Sequence, residues 1–137
     1  MSGKCGDTIL FDLETNGLLN DATRIHCISF YSKETNTIES FNDEKYADNP
    51  KDLPMGGNYS ITTALGFIES ADYIIGHNII NFDIPVIKKL YHWFNPRGTI
   101  IDTLLLSKLY HTDLFNIDKL KNWNHVPLQL YGRHSLE

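Results

Sequence analysis

The stretch Thr8-Ile9-Leu10-Phe11-Asp12-Leu13-Glu14-Thr15-Asn16-Gly17-Leu18 decides how the rest of this chain is read. Five of its first six residues, all but Asp12, are β-branched or apolar, and the run is bounded by Gly6-Asp7 before and Asn16-Gly17 after, the pattern of a buried strand that runs into a turn. Side chains alternate along a strand, so Asp12 and Glu14 share one face while Leu13 takes the other. Two carboxylates about 7 Å apart along a strand repel each other at the end of an apolar run, and both stay ionised only where positive charge compensates. A divalent cation meets that need. Hard oxygen donors favour magnesium or manganese over zinc, and two such ions about 4 Å apart can activate water and stabilise a leaving oxygen in phosphoryl transfer. Asp-x-Glu at a strand end also arises by chance, so the pair alone is a weak signal.

Downstream of this strand, Arg24 to Ser32 (RIHCISFYS) alternates Ile25 with Cys27 and becomes wholly apolar around Phe30. Thr37 to Phe41 is its expected hairpin partner across Lys33-Glu34-Thr35-Asn36, which makes three opening antiparallel strands. Asp43 to Tyr59 is polar and carries Pro50, Pro54 and Gly56-Gly57, so an irregular surface connection is expected there. Ser60 to Ser70 suits a helix and Tyr73 to Gly76 a short buried strand. Ile84, Ile87, Leu90, Tyr91 and Phe94 recur at three- and four-residue steps and predict a helix with Pro85 in its first turn. Thr99 to Ile101 is a further strand. Asp102-Thr103 stands at the N-cap of a helix carrying Leu104, Leu105, Leu106, Leu109 and Tyr110, and the signal weakens from Asp113 onward. A hairpin sheet extended by strands that alternate with helices is an α/β fold of three layers built on a mixed sheet.

A second acidic element is His77-Asn78-Ile79-Ile80-Asn81-Phe82-Asp83, which follows a strand and leads into the strongest helix. Asp83 thereby sits beside a helix N-terminus, where an ionised acid is favoured. Asp and Asn are also ordinary capping residues. The weight comes from the combination of an acidic pair ending the first strand and a further acid at a strand-to-helix junction, in an order that brings those strand ends together.

Phe11-Asp12-Leu13-Glu14-Thr15-Asn16-Gly17-Leu18 resembles the first motif of the DEDD superfamily of 3′→5′ exonucleases, whose usual form is Asp-x-Glu-Thr-x-Gly-Leu. His77-Asn78 with Phe82-Asp83 is similar to the second motif, and Ile101 to Leu109 to the strand-to-helix segment that follows it. Asn78 placed five residues before Asp83, together with the ending Tyr131-Gly132-Arg133-His134-Ser135-Leu136-Glu137, resembles the proofreading domain of family A polymerases from short-tailed phages. The resemblance implies a ribonuclease-H-like fold and removal of nucleoside monophosphates from a single-stranded DNA 3′ end, with a DNA polymerase domain or subunit as partner. Two Mg2+ or Mn2+ ions would be held by Asp12, Glu14 and Asp83, with Asp12 bridging. Thr15, Asn16, Gly17, Leu18, Asn78 and Phe82 would seat the terminal nucleotide, Leu18 wedging against its base. The superfamily takes a fourth acid from a late helix, after a Tyr or His that orients water. This chain is expected to be one domain over 1–137 that lacks its last helices, with activity impaired in isolation. Asp113, Asp118 and Glu137 do not stand in the motif context of that acid. The rival from another class is a non-catalytic module of the same fold that binds DNA or a polymerase partner. A ribonuclease H or resolvase-like endonuclease is a further alternative.

Length and composition fit this frame. The 137 residues, 42% of them hydrophobic, suffice for one core. With 17 acidic against 12 basic residues the net charge is −5, which excludes blanket attraction to phosphates and leaves only local contact with nucleic acid. Cys5 and Cys27 form neither a disulfide framework nor a CxxC zinc pattern, so a reducing cytoplasmic setting is expected, that of a host cell if the chain is phage-encoded. No signal-peptide core or membrane-length apolar run occurs. The six histidines lack HExxH and His-x-His spacing, and His77, His111 and His134 read as local hydrogen-bonding or surface groups rather than ligands. Lys119, Lys121, Trp123 and Arg133 read as a solvated tail rather than as a strand-binding patch.

Overall fold

A computed structural model describes residues 6–42, 60–121 and 132–133. The surface connection expected over 43–59, Trp123, and the ending from Tyr131 apart from Gly132 and Arg133 lie outside the described residues. The elements run β1 (Thr8–Thr15), β2 (Ile25–Ser32), β3 (Thr37–Phe41), α1 (Ile61–Ser70), β4 (Tyr73–Gly76), α2 (Asp83–Leu90), β5 (Thr99–Asp102), α3 (Thr103–Tyr110) and α4 (Leu114–Leu120). The five strands form one mixed sheet in the order β3-β2-β1-β4-β5. The hairpin strands pair antiparallel, and β4 and β5 add in parallel to β1. This is the α/β mixed sheet with an antiparallel hairpin that the sequence led us to expect.

Alternation along β1 puts Ile9, Phe11 and Leu13 into the core, and their cross-strand partners Ile28 and Phe30 follow onto the same face. Phe30 stacks on Phe41 with ring centroids 5.0 Å apart, and Phe67 of α1 meets Phe30 edge-on at 5.9 Å. Ile61, Ala64, Leu65 and Ile68 line the buried side of α1, at the three- and four-residue steps of an amphipathic helix. Ser60 starts that helix by accepting the N–H of Thr63 on its hydroxyl. Ile84, Val86 and Ile87 of α2 join the same core.

Three details depart from the sequence reading. The helix expected through Phe94 ends at Leu90: Tyr91 leaves helical geometry (φ −128°, ψ 83°), and Phe94 reaches the core from a turn closed by its N–H to Tyr91 O. The registers Glu14↔Cys27 and Thr15↔Ile25 skip His26, a β-bulge that lets Ile25 and Ile28 both face the core while Cys27 faces away. Last, α4 forms where the sequence pattern had faded, and neither α3 nor α4 has a buried residue.

A candidate acidic site at the C-terminal strand ends

β1, β4 and β5 run parallel, so their C-terminal ends lie at one edge of the sheet, where open α/β sheets place their ligands. Asp12 and Glu14 come from the end of β1, Asp83 from the first residue of α2 just after β4, and Asp102 from the last residue of β5. Gly76 allows the close approach at this edge. A Cβ there would lie 2.9 Å from Phe11 O and collide with Ile79 Cγ2.

Asp12 and Glu14 are exposed on the sheet face opposite Phe11 and Leu13, as their spacing required. Asp83 is only 3% exposed. The nearby backbone N–H groups of Asp83 itself and of Leu13 favour its ionised form, while Oδ1 is buried with no hydrogen-bond partner. Burial, and next the negative charge of Asp12, push the Asp83 carboxyl up from 3.8 to about 7. The helix-N-terminal position alone would favour the ionised acid; desolvation and the neighbouring carboxylate outweigh it. Glu14 lies across from Cys27, and burial followed by Glu14 and Asp12 raises that thiol above its usual value.

Asp12 and Asp83 thus lie within electrostatic reach, and Glu14 shares the strand face of Asp12. Among the described residues no group of three or more His, Cys, Asp or Glu side chains gathers tightly enough to hold a metal ion as it stands. The carboxylates share an edge without closing a three-ligand cage. The donor set is nonetheless all oxygen, and a buried carboxylate oxygen with no partner beside a second acid is a place where positive charge is favoured, so it fits a hard divalent cation or a proton.

The residues expected to seat a nucleotide fall in two segments. In the turn after β1, the Thr15 hydroxyl donates to Gly17 O at 2.7 Å. The Asn16 side chain is occupied within the protein: it donates to Thr23 Oγ1 at 2.7 Å and accepts the N–H groups of Thr23 and Arg24. Leu18 is 75% exposed and is not a core residue. In the β4–α2 segment Asn78 adopts left-handed geometry (φ 61°), which asparagine tolerates better than most residues, and Phe82 packs against the core.

Asp102 does more than the capping its position suggested. Its oxygens accept Leu104 N at 2.9 Å, capping α3, and also Asn78 N at 2.9 Å and Ile80 N at 3.0 Å. Burial works against its ionised form, yet the N–H groups of Ile80, Asn78, Leu104 and Leu105 hold it below the usual carboxylate range. Asp102 therefore fixes the loop that delivers Asp83, and the His77 ring beside it meets Thr103 Oγ1 at 2.9 Å. No spacing rule reveals this role, because it depends on the register Gly76↔Asp102.

Known proteins resemble this chain in sequence over most of its length. The RNase_H_2 model, of the RNase_H superfamily, matches residues 9–131. The DNA-directed DNA polymerase of Escherichia phage T7 is 30% identical over 136 residues, and that of Enterobacteria phage T3 is 29% identical over 136 residues. Each alignment covers 94% of this chain and 18% of the polymerase, so the chain spans under a fifth of the length of these curated relatives. A family B DNA polymerase from the archaeon Pyrobaculum calidifontis aligns with a TM-score of 0.44 and 16% identity, over 64% of this chain and 11% of that one.

Proposed function

This chain belongs to the RNase_H_2 family of the RNase_H superfamily, and we propose that its acidic edge is the core of a metal-dependent 3′→5′ exonuclease that trims single-stranded DNA 3′ ends for a polymerase. The observation that carries the reading is Asp83: a buried carboxylate with an orphaned Oδ1, next to Asp12, at the edge where β1 and β4 both end. Such a group favours positive charge, and the exposed pair Asp12 and Glu14 offers the remaining oxygen donors. The relatives support the setting, since both phage proteins are DNA-directed DNA polymerases.

Asp12, Glu14 and Asp83 would hold Mg2+ or Mn2+, which when bound supplies Lewis acidity for attack of water on the terminal phosphodiester. The chain's own residues do the rest. Without the ion, Asp83 keeps its proton up to about pH 7, so metal binding and release of that proton are linked. Asp102 keeps the Asn78–Ile80 backbone in place beside it. Thr15, Gly17 and Leu18 on one side and Asn78 and Phe82 on the other would receive the terminal nucleotide, with the Asn16 side chain bracing its own turn. None of the helices among the described residues is long and apolar enough to cross a membrane. The working place in this reading is the cytoplasm, beside a polymerase domain or subunit.

The test incubates the chain with a 3′-labelled single strand and Mn2+, beside Asp12→Ala. Release of the label by the wild type and not by the variant is the expected result. Identical traces, with the strand bound but intact in both, refute the exonuclease and leave the non-catalytic module. Internal cuts in a 5′-labelled strand instead indicate an endonuclease.

A further inference from the structure

Lys89, in the last turn of α2, has no part in the reading above. Its Nζ donates to three backbone carbonyls: Leu19 O at 3.0 Å, Asn20 O at 2.9 Å and Ala22 O at 2.9 Å. An ammonium has three N–H donors, so the head group is fully engaged by one short segment. That segment is a single helical turn, since Asp21 N and Ala22 N both return to Leu18 O. The carbonyls that end such a turn have no partner within it. Lys89 supplies donors to them from 67 to 70 residues away.

The base of the same turn is closed independently. Asn16 spans it through its side chain to Thr23 and Arg24 and through its own N–H to Arg24 O at 3.2 Å. Gly17 lies folded against the far side, where a Cβ would stand 3.3 Å from Asp21 C. The exposed side chain of Leu18 therefore rises from backbone tied at both ends. A single exposed leucine is ordinary, but a turn held this firmly keeps that leucine at one place. The helix that holds it begins with Asp83, six residues before Lys89, or about 9 Å along the axis.

We propose that Lys89 is a positioning residue that sets the distance between Leu18 and Asp83, and thereby seats the terminal base of a DNA 3′ end. The inference deepens the exonuclease reading and rests on it. One rigid helix carries the acid at its first residue and, at its other end, holds the turn that presents the apolar wedge. A base stacked on Leu18 is then placed at a fixed offset from the acidic edge. Lys89 touches no nucleotide and acts through the turn.

The experiment measures binding of a fluorescein-labelled oligothymidylate with a free 3′-hydroxyl, in calcium so that the strand is held rather than cut. Wild type is compared with Lys89→Met, Lys89→Arg, Leu18→Ala and the double variant Leu18→Ala/Lys89→Met, with amide hydrogen exchange over residues 16–22 as the second readout. Charge-assisted hydrogen bonds of this kind predict about a tenfold weaker Kd for Lys89→Met, faster exchange confined to 16–22, and substantial recovery in Lys89→Arg. In the Leu18→Ala background the same change should cost under about twofold, because the two residues act as one unit. An equal loss in both backgrounds, or a loosened turn with unchanged Kd, overturns the positioning role alone. A wild type that holds no strand overturns the exonuclease reading and this role with it.

Discussion

Asp83 gives the sharpest quantitative test. Its carboxyl stands at about 7 in the folded chain against an ordinary 3.8, so the folded state binds this proton more tightly than the unfolded state does. The stabilisation is fully present below pH 3.8, declines as pH rises, and is lost above about 7. A shift of about three units corresponds to about 4 kcal/mol across the whole range, at 1.36 kcal/mol per unit. About 2 to 3 kcal/mol of that falls between pH 5 and pH 8. For a chain of this length that difference lowers Tm by about 5–10 °C on going from pH 5 to pH 8. Thermal unfolding followed by circular dichroism in EDTA reads it directly. Asp83→Asn is close to isosteric and has no proton to lose, so its Tm should vary far less over the same interval. If the proposed site binds metal, millimolar Mn2+ should raise the wild-type Tm more at pH 8 than at pH 5, because only the ionised carboxylate can coordinate a cation. A wild-type Tm that is flat or rises from pH 5 to pH 8 without metal refutes the reasoning, as does an Asp83→Asn protein with the wild-type slope.

Asp102→Ala leaves the N–H groups of Asn78, Ile80 and Leu104 without an acceptor and should destabilise the chain by about 3–5 kcal/mol in urea unfolding; a loss under about 1 kcal/mol contradicts the anchoring role. Cys27 should be alkylated by iodoacetamide at pH 8 more slowly than in the unfolded chain, since burial and then Glu14 and Asp12 disfavour its thiolate. Glu14→Gln should speed that reaction in a peptide-resolved mass measurement, and an unchanged rate would mean that Glu14 does not act on Cys27.

How far the sequence could be read depended on whether a feature is local. β1 carried its own evidence, because alternation alone assigns Phe11 and Leu13 to the core and Asp12 and Glu14 to the other face, and the strand needed only its end moved from Leu13 to Thr15. The hairpin strand Thr37–Phe41, the helix starts at Ser60 and Asp102, and β4 were legible for the same reason: each is specified by its own residues or its immediate neighbours. Periodicity misjudged Cys27, which it grouped with Ile25, because the bulge at His26 is a property of two paired strands and leaves no mark in either strand alone. It also carried α2 too far, since Phe94 reaches the core from a turn that happens to continue the helical spacing.

The candidate site was legible in part by the same criterion. The identities of Asp12, Glu14 and Asp83 follow from two short segments, but their physical states do not. The proton affinity of Asp83 is set by burial and by Asp12, 71 positions earlier in the chain, and the loop before it is fixed by Asp102, which lies 22 and 24 positions beyond the two N–H groups it accepts. What the sequence displays are the groups able to carry chemistry. What decides their charge and their placement are contacts between strand ends and between a helix and a distant turn, which exist only after the sheet has set its order. A substitution that preserves the Asp12-x-Glu14 pattern but disturbs Asp102 or Gly76 should therefore damage the acidic edge as much as losing one of its carboxylates, although the motif itself would read as intact.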